Sequence, residues 1–268
     1  MPLCTDPAIT YLKSVGYSVV RLPRPDLRPL QIFGDDGRDL APLGELASLF
    51  KPRDGVALPS IAADQPGPAI SGENASTLSV GIGIGILGTA LAAMGAGKLD
   101  LKAAYNSAST VTFEFLSTTV DRAEIVAIDK YLGGSDVDPD ARGTMLMLDA
   151  NDVYVTTAVI KATELTITAR TSGGTEASLD VPAIEHVVEG KVEVKADSKT
   201  SGRITYTGKL PLAFGFQAIR LYYDRGAYTA YEPVQSGTIA AKALKPGTFP
   251  KGVQPLDRAA PLVRLGGD

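Results

Sequence analysis

The amino-acid sequence predicts a protein that mixes short helices with many strands and has most of its strands in the second half. A helix-start signal stands at Asp6-Pro7, where an N-cap carboxylate precedes a proline. From residue 151 to 223, Thr, Val, Ile and Tyr alternate with charged residues, as in half-buried strands. No regular helices separate those strands, and this disfavours a doubly wound parallel sheet.

Composition sets the size of the core and the class of partner. With 268 residues, 44% of them hydrophobic, the chain can bury one substantial core or two small ones. The net charge of -4 argues against nucleic acid as the main partner and against polybasic docking on acidic lipid. Cys4 is the single cysteine, so no intrachain disulfide forms and a reducing compartment is favoured. The opening residues lack a basic region followed by an apolar one, so we expect no secretory signal and a cytoplasmic protein.

The first half contains short elements separated by turns. After Asp6-Pro7, an apolar stripe predicts a helix that ends at Gly16. Strands are predicted at 17–22 and 29–33, a tight turn at 35–37, a short helix at 40–50, and short extended pieces over the proline-rich residues 51–72.

The second half begins with a strand at 110–116 and a helix at 121–132. In that helix Ile125, Ile128 and Leu132 line one face, and Gly133-Gly134 ends it. Further strands are predicted at 151–170, 191–195, 202–207 and 210–223, with a hairpin tip at 172–175.

Residues 75–97 form the longest uncharged run of the chain, and glycine alternates there with β-branched residues before a helix-like pattern at Leu87, Ala90, Leu91 and Met94. Three glycines spell the dinucleotide-binding pattern G-x-G-x-x-G: Gly83, Gly85 and Gly88. The helix that follows is too short for a full crossover, which disfavours an NAD(P)-binding enzyme but keeps it as an alternative.

The same run has two further interpretations. Six glycines weaken a single membrane-spanning helix, whereas a membrane strand needs only about ten residues. As a strand, the run would place Val80, Ile82, Ile84 and Ile86 on one face and glycines on the other, with 99–116 as the returning arm. Burial of a strand and a helix in a soluble core is the alternative that composition favours.

The sequence offers no convincing catalytic or metal site. His186 is the only histidine and has no recognisable catalytic context. Asp136, Asp138 and Asp140 resemble the opening of a calcium loop, but Ala141 stands at its sixth position, where glycine is required. We therefore predict a protein that is not an enzyme and that holds no metal.

The first fifty residues resemble the start of a bacterial gasdermin. The resemblance is carried by Cys4, by the segment DPAITYLKSVG and by GYSVVRLPRPDLRPLQIF, with its spacing of Gly16, Val19-Val20, Leu22-Pro23 and Pro29-Leu30. The glycine-rich run followed by TVTFEFL, the strand-rich second half and the short apolar tail are also similar to the small bacterial members.

This resemblance implies a fold and a mechanism. The fold would be α+β, a twisted, mostly antiparallel central sheet with peripheral helices. Residues 1–245 would form the pore-forming body, and 246–268 a C-terminal autoinhibitory peptide. A caspase-like or related protease would remove the peptide, and the monomeric cytoplasmic protein would then oligomerise in the lipid bilayer of the inner membrane. The resulting pores would kill the cell in antiphage defence.

The resemblance also assigns residues. Cys4 would carry a palmitoyl group, with no other cofactor. Two membrane hairpins would lie near 78–116 and 152–195, with these inserting residues: Val80, Ile82, Ile84, Ile86, Phe113, Phe115, Val153, Val155, Ile167, Val192 and Val194. The tail would contact the body through Phe249, Val253, Leu256 and Leu262, and cleavage would fall between Gly237 and Gly252. A structural β-rich assembly protein remains the other alternative.

Overall fold

The computed structural model describes residues 17–35, 40–68, 77–96, 101–188 and 192–234. Within these ranges every strand pair is antiparallel, and eleven strands join one sheet. The strands are β1 Ser18–Arg24, β2 Gln31–Asp35, β3 Leu40–Glu45, β4 Phe50–Pro52, β5 Ile61–Pro66, β6 Thr77–Ser79, β7 Thr110–Leu116, β8 Thr119–Ala123, β9 Ser135–Val137, β10 Val153–Arg170, β11 Glu193–Ala196, β12 Arg203–Asp224 and β13 Ala227–Pro233. The helices are α1 Leu46–Leu49, α2 Val80–Leu91, α3 Ile125–Gly133, α4 Arg142–Asp149 and α5 Val181–Val188, and a π-helical turn, Ala92–Ala96, follows α2.

Two long strands form the middle of the sheet. β10 has 18 residues and β12 has 22, and they pair with each other along most of their length. β10 also pairs with β2, β7 and β8, whereas β12 also pairs with β1, β11 and β13. At roughly 3.3 Å per residue, β12 is on the order of 70 Å long and connects both ends of the molecule.

β7 and β8 are two parts of one bent strand. Both lie beside β10 in a single register, which runs from Ala158 opposite Arg122 to Arg170 opposite Thr110. Between them Ser117 has a positive φ of 53°, a conformation that interrupts a strand. The bend lets one continuous segment of chain contribute to both ends of the sheet.

Two main hydrophobic cores cover the sheet. The first, which we call the α2 core, lies beneath α2 and α5 and includes Leu87, Leu91, Met94, Leu101, Tyr105, Val111, Phe113, Ile167, Ile184 and Tyr206. The second, which we call the α3 core, lies beneath α1, α3 and α4 and includes Leu46, Phe50, Ile128, Tyr131, Leu132, Leu148, Val153, Val155 and Ile219.

The predicted fold class is confirmed, and several elements are corrected. Residues 40–50 are not one helix: they form β3, the four-residue α1 and the start of β4. The helix predicted at 121–132 begins only at Ile125, because residues up to Ala123 pair as β8 with β5 and β10. Pairing with neighbouring strands overrides local propensity in both places. The short helices α4 and α5 and the strand β13 were not predicted.

The glycine-rich run also differs from its predicted strand-then-helix pattern. The strand covers only Thr77–Ser79, and the helix begins at Val80. The predicted helical positions Leu87, Ala90, Leu91 and Met94 are indeed buried. Spacings of three and four residues place Val80, Ile84, Leu87 and Leu91 on one helix face, against the α2 core. The predicted helix at 6–16 and the turn residues 36 and 37 lie outside the described residues.

Candidate membrane-inserting segments

The α2 core brings together most of the residues predicted to enter the membrane. Val80 and Ile84 are half-buried on α2 and pack against this core, and Ile82 and Ile86 belong to the same helix. The backbone N–H of Val80 donates a hydrogen bond to the carbonyl oxygen of Ser109 at 3.0 Å. This bond ties the first residue of α2 to the residue that precedes β7.

The strands beneath α2 contribute the next group. Phe113 is buried in the α2 core, and Phe115 packs against its margin. The Phe115 ring stacks on the Phe214 ring with centroids 4.0 Å apart and an interplanar angle of 6°. From the neighbouring strands, Ile167 on β10 and Val194 on β11 contact the same core.

The second predicted hairpin is divided between the two cores. Val192 is buried in the α2 core, beside Ile167 and Val194. Val153 and Val155 are fully buried in the α3 core instead, at the opposite end of β10. The structure therefore packs seven of the eleven predicted residues in or against the α2 core and separates Val153 and Val155 from them.

The opposite face of the same strands is polar. Glu114, Thr166 and Thr205 are cross-strand neighbours on β7, β10 and β12, and the hydroxyl groups of the two threonines are 2.8 Å apart. The Arg203 guanidinium donates to a Glu114 carboxylate oxygen at 2.8 Å. These strands thus carry one apolar and one polar face, which is the pattern of a strand between lipid and water.

Sequence reasoning missed a tyrosine pair inside the α2 core. The hydroxyl groups of Tyr105 and Tyr206 are 2.7 Å apart and buried. Burial raises the pKa of Tyr105 to about 12, and it also raises the pKa of Tyr206 well above its usual value. No periodic pattern marks this contact, because the two residues are 101 positions apart in the chain.

The π-helical turn rests on a glycine of β12. A Cβ atom built on Gly208 would lie 2.7 Å from the Met94 Cγ and 3.2 Å from the Met94 Cβ. Any side chain at position 208 would therefore push Met94 and its backbone away from the sheet.

The remaining candidate residues are at ordinary positions. Gly83, Gly85 and Gly88 lie inside α2, whereas a dinucleotide site needs such glycines in the turn before a helix. His186 is exposed near the end of α5. The Asp138 carboxylate accepts a hydrogen bond from the backbone N–H of Asp140, as in a local turn.

Among the residues that the structure describes, no three His, Cys, Asp or Glu side chains are grouped as metal ligands would be. None of the helices in the described ranges has the length and hydrophobicity needed to cross a bilayer. Cys4, the tail contacts Phe249, Val253, Leu256 and Leu262, and the predicted cleavage range lie outside the described residues.

Comparison with known proteins identifies the family. Residues 20–227 match the model of the Bacterial Gasdermin Family. A gasdermin from a Desulfuromonadales bacterium is 44% identical over 98% of this chain and 96% of its own length. A gasdermin from Lysobacter enzymogenes is 38% identical over 95% of this chain and 94% of its own length. A solved bacterial gasdermin from Bradyrhizobium tropiciagri has the same fold, with a TM-score of 0.61 and 21% identity over 86% of this chain and 91% of that one.

This chain belongs to the bacterial gasdermin family. Gasdermins are pore-forming proteins and not enzymes, so the predicted absence of catalysis is confirmed by family membership. The same finding rules out the alternatives of an NAD(P)-dependent enzyme and of a structural assembly protein.

Proposed function

We propose that this chain is an autoinhibited pore-forming protein, activated when a protease removes its C-terminal peptide. Residues 1–245 are the pore-forming body, and 246–268 are the inhibitory peptide. A caspase-like or related protease cuts between Gly237 and Gly252. The freed body then oligomerises, inserts two β-hairpins into the inner membrane and kills the infected cell in antiphage defence.

One observation carries this proposal beyond family membership. Among the helices of the described residues, α2 is the most apolar and the richest in glycine, and it covers the apolar face of strands whose other face is polar. Such strands need only lose this cover to present one face to lipid and one to water. This arrangement supports the proposal, because the apolar face that would contact lipid is covered by α2 in the resting fold.

The tail has the composition expected of an inhibitory segment. Pro246, Pro250, Pro255 and Pro261 exclude a helix, yet Phe249, Val253, Leu256 and Leu262 are apolar. Such a peptide stabilises the resting state by the difference between its affinities for the resting and the converted body. Its removal abolishes this difference and shifts the equilibrium toward insertion.

Acylation of Cys4 is the second part of the proposal. A palmitoyl chain adds about 0.8 kcal/mol per buried CH₂ group to membrane affinity. A chain with net charge -4 gains little from acidic headgroups, so acyl burial would supply much of the attachment. The intact mass of the protein from its native host should exceed that of the Cys4→Ser variant by the mass of the acyl group plus the mass difference between cysteine and serine.

The experiment uses the full chain with a site-specific protease sequence placed between Gly237 and Gly252. The protein is added to dye-loaded liposomes, and the protease is added afterwards. Leakage should begin only after the cut. The control carries a scrambled, uncleavable sequence at the same place and should stay silent. Leakage from the uncut protein, or none after complete cutting, would contradict autoinhibition by the tail.

A further inference from the structure

The short pairing of β6 with β7 specifies how α2 can convert into a strand. Thr77 lies opposite Thr112, Leu78 opposite Val111 and Ser79 opposite Thr110. Each step forward from Ser79 is thus matched by one step back from Thr110. The hydrogen bond from Val80 N–H to Ser109 O is the next contact of the same register, although Val80 already belongs to α2. Pairing therefore extends one residue into the segment proposed to change structure.

We propose that residues 80–109 pair as the two antiparallel strands of a β-hairpin in this register when the protein converts, and that the turn of the hairpin lies at Met94-Gly95. The proposal rests on the proposed function, and it goes further by fixing the partner of each residue and the tip. Continuing the register from Val80 and Ser109 leads inward until the two arms meet between Met94 and Gly95.

The tip of the proposed hairpin lies at residues that suit a turn. Hairpin loops favour glycine where a positive φ is required, and Gly95 stands at the centre of this loop. In the resting protein this place is the π-helical turn Ala92–Ala96, which departs already from regular α geometry. Each arm would have about fifteen residues, more than the roughly ten that a tilted membrane strand needs.

The register also sorts side chains between the two faces. Directly opposed residues of an antiparallel pair share one face. Ile84 would then lie opposite Tyr105, and Ile86 opposite Ala103, on the face that already holds Val111 and Phe113 in β7. Apart from Ser107 and Ser109 near the base of the returning arm, this face carries apolar and aromatic residues along both arms, so we assign it to lipid.

The other face takes Gly81, Gly83 and Gly85 and the charged residues of the returning arm. Gly83 would lie opposite Asn106, and Lys102 would lie opposite Leu87, on the face that holds Thr110 and Thr112. In the sequence, Lys98 and Asp100 have the same parity as Lys102. Leu87 and Leu91 are the large apolar residues on this face, and they would lie opposite Lys102 and Lys98. A shift by one residue would instead bring Lys102 opposite Ile86 and place a charge in the lipid-facing row, at a penalty of about 2–4 kcal/mol at the bilayer centre.

The resting structure stores both arms in one core. Leu87 and Leu91 of the outgoing arm are buried in the α2 core together with Leu101 and Tyr105 of the returning arm. The two arms therefore stay next to each other before conversion, and the short β6–β7 segment already holds their bases in register. Pairing that starts there needs no search for partners.

Disulfide trapping in membrane-inserted pores tests the register. Gly83→Cys is combined with Asn106→Cys, its predicted partner, or with Lys102→Cys, which lies four residues further along the same face. Asn106 and Lys102 are both exposed in the resting protein, so the second pair is a matched control. Paired cysteines approach within disulfide range, whereas the control pair is separated by about 13 Å. We expect at least about a tenfold higher yield of the first disulfide, identified by mass spectrometry.

A second measurement does not depend on disulfide formation. Lys102 and Ala103 are neighbours, and both are exposed in the resting protein. An environment-sensitive dye on Ala103→Cys should shift to shorter emission wavelength in liposomes and be quenched by lipid-attached quenchers. The same dye on Lys102→Cys should stay water-exposed. The dye-labelled proteins must first cause leakage after the protease cut.

The outcomes separate the register from the proposed function. Absence of leakage from the cut parent protein refutes pore formation itself. Leakage with equal disulfide yields, with a preference for 83–102, or with neither link refutes the register. An apolar environment at position 102, or a watery one at position 103, refutes the assignment of the faces.

Discussion

The contact between Gly208 and Met94 makes the stability of the resting state adjustable by a single methyl group. Gly208→Ala places a Cβ 2.7 Å from the Met94 Cγ and 3.2 Å from its Cβ. The second distance involves an atom fixed to the backbone, so rotation of the Met94 side chain alone cannot relieve it. The π-helical turn has to move away from β12, and α2 loses part of its packing.

The size of this effect follows from overpacking. Inserting a methyl group into a packed core typically costs about 1–3 kcal/mol. If α2 leaves the core before insertion, the barrier to conversion falls by a similar amount, and leakage after the cut accelerates by roughly 5- to 150-fold. The uncut protein should still be silent but should unfold at lower urea concentration.

Gly81→Ala also adds one methyl group, but it should stabilise the resting state instead of destabilising it. Gly81 is exposed on α2, and a Cβ built there meets no atom within 4 Å. Alanine in a helix is about 0.5–1 kcal/mol more favourable than glycine, so the resting helix gains stability and leakage slows by about 2- to 5-fold.

Time-resolved liposome leakage and urea unfolding measure both variants. The physical account requires that they shift in opposite directions in both assays. If Gly208→Ala leaks no faster than the parent although it is less stable, α2 does not have to leave the core before insertion. If Gly81→Ala speeds leakage, the resting helix does not oppose conversion. Either result would refute the role of α2 as the element that holds the protein in its resting state.

Three further predictions concern buried polar groups. Tyr105→Phe leaves the Tyr206 hydroxyl buried without its partner and should lower the free energy of unfolding by about 1–3 kcal/mol. In a double-mutant cycle, adding Tyr206→Phe should restore much of this loss. Burial raises the pKa of Tyr105 from 10.0 to about 12, so its contribution to stability is complete below pH 10.0 and should be lost as the pH rises to about 12. Urea unfolding at each pH measures this loss, which should be smaller in Tyr105→Phe. Burial lowers the pKa of Lys161, but hydrogen bonds to Asp121 and Asp64 more than offset this effect, and the pKa is raised. Lys161→Met should therefore destabilise the junction of β5, β8 and β10 by about 1–3 kcal/mol. An unchanged midpoint of urea unfolding would contradict a structural role for the ion pairs.

The elements found by sequence analysis are those with local signals. The strand at 110–116 was predicted with its observed bounds, because Val111 and Phe113 alternate with threonines. The buried positions Leu87, Ala90, Leu91 and Met94 were found from helical spacing. Antiparallel architecture and family followed from the resemblance in the first fifty residues together with the strand-rich second half.

The errors arose where distant contacts decide the local structure. The helix was predicted to begin at Asp121, but the residues of β8 pair in the sheet, where Val120 is buried opposite Ile160. The alternation from Val80 to Ile86 satisfies a strand and, through Val80 and Ile84, also a helix face. Its resting structure depends on the α2 core, whose strands follow much later in the sequence. The Tyr105–Tyr206 hydrogen bond has no local signal at all.

The glycines of α2 explain why this ambiguity belongs to the function. Four glycines within twelve residues weaken the resting helix by about 3–4 kcal/mol relative to alanine. That amount is a large fraction of the typical stability of a domain, so packing in the α2 core has to maintain the helix. In the hairpin that we propose, three of these positions, Gly81, Gly83 and Gly85, would fall on the face opposite the isoleucines. A helix richer in alanine would be more stable at rest, but it would also resist the helix-to-strand conversion that we propose. The repeat of glycine and isoleucine would thus serve the proposed hairpin, whereas the helix depends on tertiary packing in the α2 core.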